Sequence, residues 1–403
     1  MKIRYVIVLA LAIIVVLALT LFLVSKYIQP VLPRDLNADL LLFVVTLGAA
    51  AAFLAALKDV IELVERVIGR LAPLHLKKGD TSDGVSSTIR EVGLEVGTTV
   101  AYEEFYSEEE FLRVSFGQEK PIYHVALLLN TQGLKRSALR FIHQGDFHIS
   151  HPVFSELEEK VAARLRYNET RLRIARIAFS ETPVEILCER ASYSQVLITN
   201  HSEELTFDGK SLREVFAPSI RGKLCPLEDS LAANPAGCNC LLETRDNYFI
   251  IQKRSDLVET NISLYTPSVS GGTEYARPFP VGLLDPFLQL FLEMSEELGV
   301  GKNDLSCEPF LLAISRDVQR NGLPEFFFYA RLKSNFSEVQ SEIGKRRGRD
   351  SWEHRGVFCL PSREADILHY ISEQQSSAAL KANLAYYLKL RGVVQEWLGE
   401  SEG

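Results

Sequence analysis

The apolar run at residues 6–24 constrains the fold of this chain more than any other feature of its sequence. It contains no charged residue and is long enough to cross the hydrocarbon core of a bilayer, which takes about 20 helical residues. A second apolar run follows at residues 40–57, between Asp39 and Lys58. A cleaved signal peptide is the alternative interpretation, but no small-residue cleavage site follows the first run. The sequence therefore predicts a transmembrane hairpin at residues 1–57, with spans at about 6–24 and 40–57.

Basic residues flank this predicted hairpin on both sides. The positive-inside rule counts lysines and arginines near the ends of the spans, and here it favours both termini in the cytoplasm. The six cysteines agree with a reducing compartment, since they are scattered without the spacing of a disulfide framework. The flanking basic residues are Lys2, Arg4, Lys58, Arg66, Arg70, Lys77 and Lys78.

The rest of the sequence predicts a stalk followed by a cytoplasmic domain. Residues 58–99 continue with a helical pattern of apolar residues and then a polar linker that contains glycine. Residues 100–403 mix strand and helix patterns, so we expect an α/β (α+β) domain. The formal net charge of −8 gives no reason to expect duplex nucleic acid as a partner.

A β-hairpin is predicted at residues 238–255, where an apolar strand, a polar turn and a second strand follow one another. The second strand ends in Lys253 and Arg254, which could meet an anionic ligand or solvate a sheet edge. Gly271 and Gly272 come shortly afterwards, and their missing side chains allow a sharp turn or the close approach of a ligand.

The sequence also predicts a helix that begins at Asp285 and Pro286. Aspartate is a preferred N-cap residue, and proline is favoured at the first helical position. The helix is expected to run to Leu298, with Gly299 as its stop.

Three glutamates lie together on this predicted helix. Glu293, Glu296 and Glu297 are related by i,i+3 and i,i+4 spacing, which brings like charges close to one another. A divalent cation such as Mg²⁺ would relieve that repulsion, because hard cations prefer carboxylate oxygens. The alternative is an ordinary solvated acidic face. The apolar residues expected on the opposite face are Phe287, Phe291, Met294 and Leu298.

The order hairpin, Gly-Gly-x-Glu, and a helix reading Glu-hydrophobic-x-Glu-Glu-x-Gly-hydrophobic resembles the Nudix hydrolase family. The resemblance covers a core at about residues 192–336, with an N-terminal extension before it and C-terminal helices after it. It implies a Nudix-like domain with a mixed sheet flanked by helices. It also implies Mg²⁺ as cofactor at Glu293, Glu296 and Glu297, which would be the catalytic residues of an active enzyme.

The sequence departs from the family pattern at three positions. Leu292 occupies the arginine position, Leu284 the first glutamate position and Pro278 the first glycine position. Asp285 could replace the missing glutamate, although it lies one position out of register. Hydrolysis requires closely placed metals and water, so binding of a nucleotide is expected to survive better than turnover.

A Nudix-like domain behind a two-helix hairpin resembles the two-transmembrane Nudix effectors of bacterial cyclic-oligonucleotide anti-phage systems. That resemblance implies a multi-pass protein of the bacterial inner membrane that senses a nucleotide signal and perturbs the bilayer. Its expected partners are the lipid bilayer, a nucleotide ligand of the cyclic kind, and further copies of the chain in a homo-oligomer. The candidate ligand-binding residues are Lys253, Arg254, Gly271, Gly272, Arg331, Arg346, Arg347 and Trp352.

Two alternatives stay open at the level of sequence. One is a membrane-tethered, Mg²⁺-dependent Nudix hydrolase of a nucleoside diphosphate linked to another group. The other is a partner-binding module, whose C-terminal helix at residues 377–398 would serve as a docking surface. The basic run at residues 345–355 has an alternative of its own, because such runs are often solvated loops.

Overall fold

The fold is described from a computed structural model of the chain. The described residues all belong to one compact unit, Lys78–Gly403. They are residues 95–96, 101–114, 121–165, 168–179, 183–202, 205–255, 263–275, 285–345, 354–373 and 375–401.

Strands and helices alternate along the described chain. The strands are β1 (Glu95–Val96), β2 (Leu112–Arg113), β3 (Pro121–Ile122), β4 (His124–Leu129), β5 (Leu139–Asp146), β6 (Thr170–Ala178), β7 (Val184–Ser192), β8 (Leu205–Phe207), β9 (Lys210–Ser211), β10 (Ser219–Ile220), β11 (Lys223–Leu224), β12 (Gly237–Glu243), β13 (Tyr248–Arg254), β14 (Tyr265–Thr266), β15 (Val269–Gly272), β16 (Phe310–Asp317), β17 (Leu323–Arg331) and β18 (His354–Pro361). The α-helices are α1 (Tyr102–Phe105), α2 (Pro152–Arg164), α3 (Tyr193–Thr199), α4 (Leu212–Phe216), α5 (Pro286–Glu293), α6 (Phe336–Lys345), α7 (Glu364–Glu373) and α8 (Ala378–Ser401).

A mixed sheet of eight strands forms the centre of the unit. Its order is β14-β13-β12-β17-β16-β4, with β15 added beside β12 and β18 added beside β13. β12 and β17 are parallel, whereas the other neighbours are antiparallel. The predicted hairpin at residues 238–255 is confirmed as β12 and β13. The sheet also takes β4 and β18 from outside the predicted core at about 192–336.

The central strands are buried on both faces, so the sheet lies between two layers of helix. Alternate residues of β17 divide between two apolar clusters, as the period of two in a strand requires. Phe326 and Phe328 pack with α5 on one face. Phe327 and Tyr329 pack with α8 on the other face.

A smaller sheet is formed by residues that lie in the chain between β4 and β12 of the main sheet. Its order is β5-β7-β6, and a separate apolar cluster forms around Phe154 and Leu157 of α2. Helix α3 begins immediately after β7, where Ser192 accepts a hydrogen bond from the backbone N–H of Gln195 (3.2 Å). Residues 185–200 have the apolar pattern of a strand throughout, but the second half of this stretch is helical because this cap starts a helix.

The structure corrects the predicted fold class. In the part of the chain that the structure describes, no helix is long and apolar enough to cross a membrane. The longest, α8, has 24 residues, but Lys381, Lys389, Arg391 and Glu396 interrupt its apolar pattern. The transmembrane fold and the multi-pass inner-membrane location are thus corrected to a mixed α/β fold. The predicted spans at 6–24 and 40–57 lie outside the described residues.

Helix α8 belongs to the core of the fold. Leu380, Leu384, Tyr387 and Val394 recur along it and are at most 1% exposed. Tyr387 stacks on Tyr329 of β17, with 5.5 Å between the ring centroids. Because this apolar stripe is already covered by the main sheet, the structure does not support the use of α8 as a docking surface.

Candidate functional site

The start of helix α5 matches the prediction in detail. The carboxylate of Asp285 accepts hydrogen bonds from the backbone N–H groups of Phe287 and Leu288, both at 2.9 Å, and Pro286 is the first helical residue. The other oxygen of Asp285 accepts a hydrogen bond from the guanidinium of Arg136 at 2.5 Å. Asp285 is thus fully engaged as a cap, and it does not replace the glutamate missing at Leu284.

The helix changes its winding where the glutamates begin. Met294–Leu298 forms a π-helical turn that ends at Gly299, whose φ of 67° is left-handed. Single π turns within helices are frequent at functional sites. The backbone N–H of Val300 closes this end by donating to the carbonyl of Met294 (3.1 Å).

Glu297 is buried against the main sheet. Its residue is 6% exposed, and its Oε2 accepts a hydrogen bond of 2.6 Å from Nε2 of Gln252 on β13. The same amide nitrogen donates to the carbonyl of Ser268 at 2.6 Å. The interpretation as an ordinary solvated acidic face is therefore wrong for Glu297, because a solvated glutamate would not be held by a buried amide.

Glu293 lies directly against the glycine pair. A Cβ atom placed on Gly271 would come within 2.2 Å of Oε1 of Glu293, far inside van der Waals contact. Gln289, one turn earlier on α5, donates from Nε2 to the same oxygen at 2.7 Å. Gly271 is required here for space, since only a residue without a side chain leaves room for this carboxylate. The structure thus brings together Gly271 and Glu293, which the sequence had placed in one site.

Two glutamine amides orient carboxylates of this site by hydrogen bonds, a role that the family pattern gives to an arginine. Leu292 cannot donate a hydrogen bond, whereas Gln289 and Gln252 each donate one to a glutamate of the site. Neither glutamine was among the residues predicted from the sequence. Gln289 had a signal, since it lies four residues before Glu293 on the same helix face; Gln252 had none beyond its place on the predicted strand.

The three glutamates offer the carboxylate oxygens that Mg²⁺ prefers. Glu293 and Glu297 are fixed by their amide partners, and Glu296, which is partly exposed, lies between them in sequence. In the part of the chain that the structure describes, these glutamates do not bring three ligand atoms within 4.8 Å of one another. Mg²⁺ at Glu293, Glu296 and Glu297 therefore stays a prediction.

The remaining predicted contacts do not all converge on this site. Lys253 is at the end of β13, with Nζ 5.2 Å from the ring centroid of Tyr265, and Arg254 follows it. Arg331 pairs with Glu243 of β12, whereas Gly271 pairs with Cys238, which separates the two by about 17 Å along the strand. The residues that lie outside the described part of the chain are Pro278, Leu284, Arg346, Arg347 and Trp352.

A second polar cluster, which the sequence analysis did not find, lies on the face of the sheet that packs with α8. Arg320 donates to Oδ2 of Asp317 at 2.6 Å and to Oε1 of Glu325 at 2.5 Å. His124 of β4 places its Nε2 3.6 Å from Oε2 of Glu325. Together His124, Asp317 and Glu325 offer ligand atoms that all lie within 4.8 Å of one another. We call these three residues and Arg320 the buried polar cluster.

His201 neighbours this cluster and gives stability a predictable pH dependence. Burial and the positive charge of Arg320 lower the pKa of His201 from 6.5 to about 4. The unfolded chain therefore binds the extra proton first, so stability is complete above pH 6.5 and is lost as the pH falls through 4. We expect the free energy of unfolding to drop by about 2 kcal/mol between pH 7 and pH 5 from this residue.

Urea denaturation of the full-length chain at both pH values would measure this drop. In His201→Gln the same change of pH should have a clearly smaller effect, since glutamine does not titrate. An equal drop in the variant and the parent would assign the acid sensitivity to other groups.

The comparisons with known proteins leave the family of the chain open. No family model matches the sequence, and no curated protein matches it. A solved structure that is similar in part is the crystal structure of DR0079 from Deinococcus radiodurans. It is 14% identical over 37% of this chain and 80% of that chain, with a TM-score of 0.26. A likeness this low carries no argument about fold or activity, so the Nudix resemblance and the role in anti-phage defence stay predictions.

Proposed function

We propose that Glu293, Glu296 and Glu297 bind Mg²⁺ together with the phosphates of a nucleotide, and that the domain holds this nucleotide with little turnover. The observation that carries the proposal is the contact between Gly271 and the carboxylate of Glu293. A backbone without a side chain beside a fixed carboxylate provides both a metal ligand and room for a ligand's phosphate.

The charges of the site support this assignment. Three carboxylates in little more than one helical turn repel one another, and Mg²⁺ would supply the charge that bridges them to a phosphate oxygen. The chain's own part is to fix the carboxylates before the ligand arrives. Gln289 and Gln252 do so by hydrogen bonds of 2.7 Å and 2.6 Å. Because these side chains are already ordered, less conformational entropy is lost on binding.

The end of β13 supports an anionic ligand. Lys253 and Arg254 follow directly after Gln252, the residue whose amide holds Glu297. Lys253 lies over Tyr265, which packs with the apolar cluster on the α8 face of the sheet. Arg254 is therefore the cation of the two that we propose as a contact for a ligand with several phosphates, some bound through metal and some through side chains. A cyclic oligonucleotide, as the family resemblance implied, has this distribution of charge.

Weak turnover is expected from the residues around the glutamates. Leu292 offers no hydrogen bond to a catalytic carboxylate, and Asp285 is engaged as the cap of α5. The second candidate function is a Mg²⁺-dependent hydrolase of a nucleoside diphosphate linked to another group. It is favoured by the fixed positions of Glu293 and Glu297, because catalysis requires preorganised ligands.

Glu297→Gln is the variant that tests this proposal. Glutamine keeps the shape of the side chain and removes its charge, so Mg²⁺-dependent nucleotide binding should weaken at least tenfold. The full-length chain would be incubated with Mg²⁺ and a panel of cyclic di- and trinucleotides, nucleoside diphosphate sugars and dinucleotides. Chromatography then shows which compound stays with the protein and whether it is recovered intact.

The matched control is Glu308→Gln, which changes an exposed glutamate paired with Lys302 and should bind like the parent chain. A compound retained intact by the parent and lost from Glu297→Gln supports the proposal. Cleaved products that disappear in Glu297→Gln would establish the hydrolase instead. Retention that is unchanged in Glu297→Gln would exclude both functions for this site.

A further inference from the structure

The buried polar cluster contains two polar atoms that have no hydrogen-bond partner among the residues that the structure describes. They are Nε2 of His124 and Oε2 of Glu325, on residues that are 0% and 3% exposed. A buried polar atom without a partner loses its hydration and regains nothing, which destabilises the fold. The two atoms face each other at 3.6 Å, which is too long for a hydrogen bond between nitrogen and oxygen.

The other nitrogen of His124 indicates what is missing between them. Nδ1 lies 3.0 Å from Oγ of Ser315. A histidine that binds a metal through one ring nitrogen commonly donates from the other, and that bond fixes the tautomer. With the proton on Nδ1, the lone pair of Nε2 is directed toward a carboxylate oxygen, and two acceptors that face each other require a cation between them.

We propose that His124, Glu325 and Asp317 bind one transition-metal dication of the Zn²⁺ class, at a site separate from the three glutamates of α5. Imidazole nitrogen and carboxylate oxygen are both ligands of Zn²⁺, with bonds of about 2.0–2.2 Å. Two such ligands at a tetrahedral angle lie about 3.4 Å apart, close to the 3.6 Å between Nε2 and Oε2. Six-coordinate Mg²⁺, with ligands at right angles, would bring them to about 3.0 Å.

Arg320 is compatible with this ion and completes its surroundings. It donates to Oδ2 of Asp317 and Oε1 of Glu325, so Oε2 of Glu325 remains directed toward His124. Carboxylates that bind metals are themselves usually hydrogen-bonded by an outer partner. Without an added cation, two carboxylates and one guanidinium leave an excess negative charge in the interior, which is unfavourable.

The test measures metal content on the full-length chain. The protein would be incubated with ZnCl₂, passed through a desalting column and analysed by mass spectrometry of metals; about one equivalent of Zn²⁺ should remain. His124→Gln and Glu325→Gln should each lose at least tenfold in retained metal. Glu308→Gln, which changes an exposed glutamate outside both proposed sites, should retain as much as the parent.

X-ray absorption of the zinc-loaded parent provides a readout that does not depend on the folding of any variant. The expected spectrum shows a four-coordinate ion with nitrogen and oxygen ligands, including one imidazole. A parent that retains less than one tenth of an equivalent, or a spectrum without imidazole, would overturn the proposal. Equal retention in folded His124→Gln would overturn it as well, and the unpaired atoms would then indicate a protonated histidine.

Discussion

Gly271→Ala is expected to reduce Mg²⁺-dependent nucleotide binding at least tenfold, while the chain remains folded. The new Cβ would lie 2.2 Å from Oε1 and 2.4 Å from Cδ of Glu293, so the carboxylate must leave its place. When it moves, the hydrogen bond from Gln289 is broken and one metal ligand is misplaced. In catalytic sites, a misplacement of about 1 Å can cost about 100-fold in rate. A misplaced metal ligand is expected to weaken nucleotide binding in the same way.

Gly272→Ala is the matched control, one residue further along the same strand. A Cβ at Gly272 would be no closer than 3.8 Å to any atom, the nearest being in the side chain of Arg171, which is ordinary contact. Calorimetric titration of both variants with the retained nucleotide and Mg²⁺ would give the two affinities. An affinity of Gly271→Ala equal to that of the parent would show that the Glu293 carboxylate takes no part in binding.

The parts of the fold that the sequence predicted correctly depend on signals between near neighbours. Asp285 and Pro286 mark the start of α5 and Gly299 its end, because caps and left-handed positions restrict the residues that fit them. The hairpin of β12 and β13 is similar, since its apolar strands and polar turn are contiguous. The grouping of Gly271 with the glutamates came from a family resemblance, and the contact with Glu293 agrees with it.

The parts that the sequence did not predict depend on pairs of residues that are distant in the chain. Gln252 reaches Glu297 across 45 positions, and nothing in a local pattern shows that a strand will place an amide beside a particular helix turn. His124 and Glu325 come from strands on either side of β16. Only the order of strands in the sheet brings such side chains together. The membrane hairpin, predicted from hydropathy alone, finds no counterpart among the described helices.

Arg320→Ala is expected to have the largest effect on stability, lowering the free energy of unfolding by about 3 kcal/mol at neutral pH. Arg320 pairs with Asp317 and Glu325, whose side chains are only 4% and 3% exposed. Burial alone would lower the pKa of Arg320, but these two carboxylates raise it above its usual value. Removing the guanidinium leaves two buried carboxylates close together, without the cation that pairs with both of them. Chemical denaturation with a chelator present would measure the loss.

Lys302→Ala provides the control, because it breaks an ion pair of 3.2 Å whose side chains are 64% and 70% exposed. Exposed pairs contribute at most about 1 kcal/mol, so this variant should resemble the parent. The double variant Arg320→Ala/Glu325→Gln should regain part of the lost stability, since it removes one of the unpaired charges. If Arg320→Ala lowers the free energy of unfolding by less than about 1 kcal/mol, the buried carboxylates become protonated in the variant at little energetic cost.

Zinc added to Arg320→Ala separates the contribution of the guanidinium from that of the proposed ion. Both cations neutralise Asp317 and Glu325, but only the metal also needs Nε2 of His124. If the ion binds there, ZnCl₂ should raise the melting temperature of Arg320→Ala more than that of the parent, because it replaces a missing positive charge. The same addition should have no effect on Arg320→Ala/His124→Gln. An equal rise in both variants would place the zinc elsewhere and leave Arg320 as the cation that holds this cluster together.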